Sequence, residues 1–258
     1  MEKLIPLLFP LTFILALIAE RVFPARPLPQ VRGWFLKGLL FFVLSGLVGG
    51  VVPAVFAELV RPYAPLHLDR LGIVLGGVLA FLAGDFLTYS VHRTMHRVPW
   101  LWRWTHQLHH SAERLDIAGA NYFHPLDLLL QGGAGSVGVA LLGVSPAAAV
   151  LASYIGFFAA MFQHLNVRTP RFIGYFLQRP EAHAIHHARG VHAYNYGNCT
   201  FWDMAFGTFR NPDGFAETQG FWDGASSHLG SMLVGRDVSA PPPTRRTTTV
   251  AANVAVRV

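Results

Sequence analysis

Charge is scarce in this sequence: charged residues make up 13% of 258 positions, against 52% hydrophobic ones. A soluble domain carries roughly 25% charged residues. The deficit points to lipid, not water, as the solvent for much of the surface. Lysine is nearly missing, represented by Lys3 and Lys37 alone, and cysteine occurs once, at Cys199. A single thiol excludes a disulfide framework, a Cys-ligated iron–sulfur cluster and a Cys-rich zinc site; Cys199 reads as a packing residue. Nucleotide binding is also excluded. Gly133, Gly135 and Gly138 match G-x-G-x-x-G, but they lie in an apolar run, with no strand before them and no acid about 20 residues on. Small residues in such a run let helices pack closely. The net charge of +6 does not indicate nucleic acid, because the arginines are scattered as loop charge between apolar runs.

What is abundant is long apolar stretches. A membrane span needs about 20 largely apolar residues, and the segments 4–19, 35–57 and 71–91 qualify. A last pair lies between Leu126 and Leu165, broken near Ser145-Pro146. The first stretch lacks a small-residue cleavage site before Glu20-Arg21, so it reads as a retained span, not a signal peptide. The expected fold is therefore all-α: a polytopic membrane bundle of 4–5 spans with a cytoplasmic, histidine-rich cap. Residues 1–70 hold the N-terminal spans, 71–235 the functional domain and 236–258 a disordered tail. Arginine is concentrated in the links after the first and third spans (Arg21, Arg26, Arg32; Arg93, Arg97, Arg103, Arg114). The positive-inside rule places those links and the C-terminal region in the cytoplasm. Usage rich in Arg, Ala, Gly, Val and Pro suits a GC-rich bacterial genome, hence a bacterial inner membrane.

Histidine carries the chemistry. Of 13 histidines, all but His67 and His228 fall between positions 92 and 192. His92 and His96 stand four apart at the end of the third span, which puts both rings on one helix face. His106, His109 and His110 form H-x-x-H-H, and His183, His186 and His187 repeat it. Each such set presents three imidazoles from one turn, enough to serve two adjacent metals. His164 stands alone at the end of the last span. So many imidazoles in a low-dielectric site would repel one another if charged; a metal binds them neutral. Their number exceeds what one tetrahedral zinc takes, so two metals are implied, and imidazole suits zinc, copper, iron and nickel. Asp85, seven residues before His92, and Asp127, Glu181 and Asp203 are candidates for orienting ligand rings.

The set His92-Arg-Thr-Met-His96, His106-Gln-Leu-His-His110 and His183-Ala-Ile-His-His187, followed by Asn195-Tyr-Gly and Trp202-Asp-Met-Ala-Phe-Gly-Thr-Phe, resembles the fatty acid hydroxylase/sterol desaturase superfamily of membrane di-iron oxygenases. The connecting Asn121-Tyr-Phe-His-Pro-Leu-Asp and Gln163-His-Leu-Asn look like that family too. The likeness covers roughly residues 80–210, and its joint pattern is highly specific. It implies a pair of iron ions held by His92, His96, His106, His109, His110, His164, His183, His186 and His187. His124, His192, Asp85, Asn195 and Asp203 are further candidates as ligands or as supports of ligands. It implies O2 as co-substrate, a membrane lipid (acyl chain, sterol or related) as substrate, and an alcohol or an alkene as product. Electrons are expected from a separate reductase, ferredoxin or cytochrome. Arg168, Arg171, Arg179 and Arg189 form a basic cap surface that obeys the positive-inside rule and could also dock an acidic carrier. Trp100, Trp102, Trp104, Tyr122 and Phe123 suit an interfacial belt. The alternative is a membrane zinc hydrolase, which usually needs a carboxylate base beside its histidines, as in H-E-x-x-H; no such pair occurs.

Overall fold

The computed structural model describes residues 5–242. Its described elements are helical, without named strands, in the order α1 (Ile5–Val22), α2 (Trp34–Val60), α3 (Gly72–Arg97), α4 (Pro99–Leu101), α5 (Gln107–His110), α6 (Pro125–Leu141), α7 (Pro146–His164), α8 (Pro180–His186), α9 (Thr200–Ala205) and α10 (Leu229–Leu233). Among the described residues, four helical stretches are long and apolar enough to cross a membrane: Ile5–Val22, Trp34–Tyr63, Asp69–Arg97 and Pro146–His164. α6, with 17 residues, is shorter. Large apolar side chains such as Leu36, Leu40, Leu47 and Val74 point outward from these helices. That is the surface a lipid solvent requires.

α3 is the central post. α6 runs antiparallel to it, with Gly135 facing Gly84 and Gly138 facing Ala83; a Cβ on Gly138 would meet the Ala83 carbonyl oxygen at 2.6 Å. The glycines that imitate a nucleotide motif thus let two backbones touch. α7 returns parallel to α3, with Ala148 against Gly76 and Phe81 facing Gly156. The turn between α6 and α7 forms where the sequence breaks: Ser145 Oγ accepts from the Ala148 amide at 3.3 Å, and Pro146 takes the first helical position. There a missing N–H costs nothing. This hairpin returns the chain to the end of α3 that carries His92 and His96.

α1 lies on α7 through Phe9–Phe157 and Thr12–Tyr154 contacts, and α2 lies on α6 through Phe56 against Gly133. The N-terminal helices also share a core with the cap: Trp34 and Phe41 pack with Leu108, Tyr122, Phe221, Met232 and Val238. The ordered chain continues past the boundary expected at 236. Val238 is buried, its amide donates to Gln107 Oε1 at 3.2 Å, and its carbonyl accepts from Trp222 Nε1 at 2.9 Å. The remainder of the expected tail, 243–258, lies outside the described residues.

Candidate metal centre

All nine histidines expected as ligands meet at one end of the bundle. They sort into two groups in which the candidate ligand atoms lie within 4.8 Å of one another: His92, His96, His106, His110 and His186, and His109, His164, His183 and His187. Helical geometry does the sorting. Residues four apart share a face, so His92 pairs with His96, His106 with His110, and His183 with His187. The residues three apart, His109 and His186, turn toward the opposite group. A single π-helical turn, Trp102–His106, precedes α5, the kind of irregularity frequent at functional sites.

Hydrogen bonding at the far nitrogen fixes how the rings face. A carbonyl only accepts, so Nδ1 carries the proton in His92 (to Tyr196 O, 2.7 Å), His96 (to His192 O, 2.8 Å), His186 (to Tyr194 O, 2.7 Å) and His164 (to Ala160 O, 2.7 Å). His106 Nδ1 donates to Asp127 Oδ2 at 2.6 Å. His183 Nδ1 donates to Gln178 Oε1, and the Gln178 amide cannot be reversed because its Nε2 gives to the carbonyls of Asn195 and Gly197. Where both tautomers are fixed in this way, the Nε2 atoms face one another as lone pairs: His92–His106 at 2.8 Å, His96–His92 at 3.2 Å and His183–His164 at 3.1 Å. Two acceptors at that separation repel unless a cation lies between the rings. His186 Nε2 is buried with no hydrogen-bond partner among the described residues. Burial and then the neighbouring imidazoles push His109, His110, His183, His186 and His187 well below the ordinary histidine range. Neutral, buried, convergent imidazoles are what a divalent metal binds.

The loop after α8 orients three imidazoles of the five-histidine group at once. Alternate carbonyls, at 192, 194 and 196, face the imidazoles, and the backbone reaches this form through positive φ at His192 (42°), Tyr194 (70°) and Asn195 (49°). Asp203 accepts from the amides of Tyr196 and Gly197, and Asp85 from those of Asn198 and Cys199. Gly197 has no room for a side chain: a Cβ would meet Cys199 O at 2.7 Å. Asn195 tolerates its left-handed backbone and ties the loop to Ala182 O and the Arg210 amide.

Several expectations change. Asp85, Asp203 and Glu181 do not contact a ligand ring; the first two hold the loop, and Glu181 pairs with Arg179 and Thr169. Asp127 does contact one. His124 caps α6, its Nδ1 accepting from the Leu126 amide, and lies outside both groups. His192 places its ring Nδ1 3.1 Å from His110 Nδ1, with burial pushing it down to about 4, but its clearest service is its carbonyl. Arg179 is no surface residue: it is 2% exposed. Tyr122 is not at an interface either, being buried with its hydroxyl on Ser226 O. Phe123 stacks on His109 at 4.0 Å and Trp102 packs beside His96 and His110 at 5.0 Å. Gln178 was missed; as an uncharged residue five positions before His183 it carries no sequence signal. His67 is exposed and His228 packs on Trp222, both away from the centre.

The model of the family described as fatty acid hydroxylase matches residues 77–208, just over half of the chain. Similar curated proteins include a very-long-chain aldehyde decarbonylase of Oryza sativa subsp. indica, 28% identical over 183 residues that cover 69% of each chain. A cholesterol 25-hydroxylase-like protein of Caenorhabditis elegans is 32% identical over 104 residues, 40% of this chain and 32% of its own. Sphinganine C4-monooxygenase 2 of Arabidopsis thaliana is 29% identical over 137 residues, 51% of this chain and 53% of its own. No solved structure matches.

Proposed function

The chain belongs to the fatty acid hydroxylase family and is a membrane lipid hydroxylase or desaturase, and on that premise we propose that two iron ions, held by the nine clustered histidines, serve its reaction with O2. The observation that carries the reading is the division of those histidines into a group of five and a group of four with facing Nε2 lone pairs. His92, His96, His106, His110 and His186 would hold one ion, and His109, His164, His183 and His187 the other. When bound, the pair supplies the means to activate O2 for removal of hydrogen from an unactivated C–H bond, giving an alcohol or, with loss of a second hydrogen, an alkene.

The chain's own residues do the rest. The carbonyls at 160, 192, 194 and 196, the Asp127 carboxylate and the Gln178 amide hold the Nδ1 protons of His164, His96, His186, His92, His106 and His183, so those six Nε2 atoms are presented as ligands without loss of a proton. Asp127 is the one acid on a ligand ring among the described residues, and it offsets part of the charge that neutral imidazoles leave uncompensated. Trp102 and Phe123 pack over the rings and exclude water on those sides. The substrate is a fatty acyl chain, sterol or related lipid, in line with the names of the relatives, and reaches the centre from the bilayer. We place the electron donor on a separate reductase, ferredoxin or cytochrome. The distribution of loop arginines supports a centre on the cytoplasmic side, and the Arg-, Ala- and Gly-rich composition a bacterial inner membrane. The zinc-hydrolase alternative draws no support from the family or the relatives.

Metal analysis of the purified protein, with lipid profiling of a deletion strain, tests the reading. Iron, O2-dependent turnover and a lipid that differs by one oxygen atom or two hydrogens are expected. Zinc with O2-independent hydrolysis would overturn it. His109→Ala and His186→Ala, one from each group, should lose metal and turnover while remaining in the membrane. His67→Ala and His228→Ala should match the parent protein.

A further inference from the structure

Part of the cap packs against α3 short of the level at which the neighbouring span α7 ends. α7 has 19 residues, about 28 Å at 1.5 Å per residue, close to the hydrocarbon thickness of about 30 Å. It runs beside α3 in register, Gly156 facing Phe81, so the level of His164, where α7 ends, is reached on α3 near Tyr89 to His92. Asp85 and Phe86 lie about a turn or more inside that level. Yet both touch the cap. Asp85 accepts from the amides of Asn198 (3.2 Å) and Cys199 (3.0 Å) and from Asn198 Nδ2 (3.0 Å). Phe86 packs on Trp202 with centroids 4.7 Å apart, and Tyr89 stacks on Phe206 at 5.6 Å.

Irregular backbone is tolerated at that depth only when its polar groups are satisfied, and here they are. The amides of residues 196–199 all end on the carboxylates of Asp203 and Asp85, and the Thr200 amide on Phe176 O. The outward side is apolar over 172–176 and 201–206, while Arg171 is exposed at its edge and pairs with Asp213. Phe176 is 70% exposed and Phe201 53%, and Phe172, Tyr175, Met204 and Phe206 are exposed beside them. They adjoin α3 through Phe86, which packs on both Trp202 and Phe206, and through Tyr89 on Phe206.

We propose that residues 198–206, with residues 172–176 beside them and the Arg171–Asp213 pair at the headgroup edge, form a re-entrant wedge whose exposed aromatic side chains contact the acyl chains of the leaflet that borders the histidine centre. Asp85, a carboxylate within a span, is there to anchor this wedge. The occupant is the bilayer because the patch packs directly on a span, at Asp85, Phe86 and Tyr89, inside the level at which the neighbouring span α7 ends. The inference rests on the membrane assignment of α3 and α7.

The lone cysteine makes the test direct. In a Cys199→Ser background, single cysteines replace Phe176, Phe201, Leu40 and Asp223; nitroxide labels are attached, and the protein is reconstituted in phosphatidylcholine vesicles. Collisions with O2 and with a water-soluble nickel chelate are then compared. Labels at 176 and 201 should favour O2, as at 40, while the label at 223 should favour nickel, a reversal in the sign of the depth parameter. Labels at 176 and 201 that behave like 223 overturn the wedge. So does protection from both reagents with dipolar broadening, which would mean a second copy covers the patch. Should the label at 40 also favour nickel, the membrane assignment itself fails.

Discussion

Asp127 Oδ2 lies 2.6 Å from Nδ1 of His106, and both side chains are almost wholly buried. The other Asp127 oxygen accepts from Gln131 Nε2 at 2.6 Å, so the carboxylate is held by two partners from different helices. Asp127→Asn preserves the shape and removes the charge. It should lower metal affinity on the order of 10- to 100-fold with little change in the thermal midpoint of the metal-free protein. Metal titration followed by a chelator competition reads this; unchanged affinity would mean that the pair only fills space.

Gln178 joins the two halves of the centre, since one amide serves His183 on one side and two carbonyls of the 195–197 loop on the other. Gln178→Leu leaves those buried carbonyls unpaired, at about 1–3 kcal/mol each, and frees the His183 ring. Metal content should fall in both halves of the centre. Gln178→Glu keeps an acceptor for His183 but loses the donor to the loop. Cobalt titration, read through its visible spectrum, separates the outcomes, and parental stoichiometry in the Leu variant would refute the linking role.

Acid should weaken the metal-free protein. The sign follows from burial: His110, His183, His186 and His187 are held well below the ordinary range in the fold, while in the unfolded chain they titrate near about 6.5. Below that pH the unfolded state takes up protons that the folded state refuses. Stability therefore falls as pH drops through about 6.5 and keeps falling until the folded groups titrate. Thermal midpoints of the chelated protein should decline from about pH 7 to 5, with a shallower decline for the metal-loaded form. A flat profile for the chelated form would contradict the burial argument.

Truncation should distinguish two boundaries. Removing residues 243–258 deletes a stretch whose composition offers no periodic apolar face and should leave the thermal midpoint unchanged. Removing 236–242 as well takes away Val238, the Arg236 carbonyl that accepts from Gln107 Nε2 and the Val238 carbonyl that accepts from Trp222. Gln107 adjoins His106, so this longer cut should lower both stability and metal retention. Equal behaviour of the two truncations would show that the 236–242 contacts contribute nothing.

The sequence by itself determined the spans and which histidines fall into spaced clusters, because both follow from local rules. Apolar length marks a helix that lipid can solvate, proline after Ser145 marks the hairpin, and four-residue spacing keeps His92 with His96, His106 with His110 and His183 with His187. Tertiary structure decided what the clustered imidazoles lean on. Asp85, on the His92 face of α3, looked like a partner for an imidazole, but the loop at 198–199 reaches it instead. The carbonyls at 192, 194 and 196 orient three rings, and a backbone carbonyl has no signature in a sequence because every residue carries one. Gln178 is likewise silent until the fold brings it between His183 and the Asn195 loop. Residue type and spacing set which atoms can bind a metal; only the path of the chain sets which protons are held away from it.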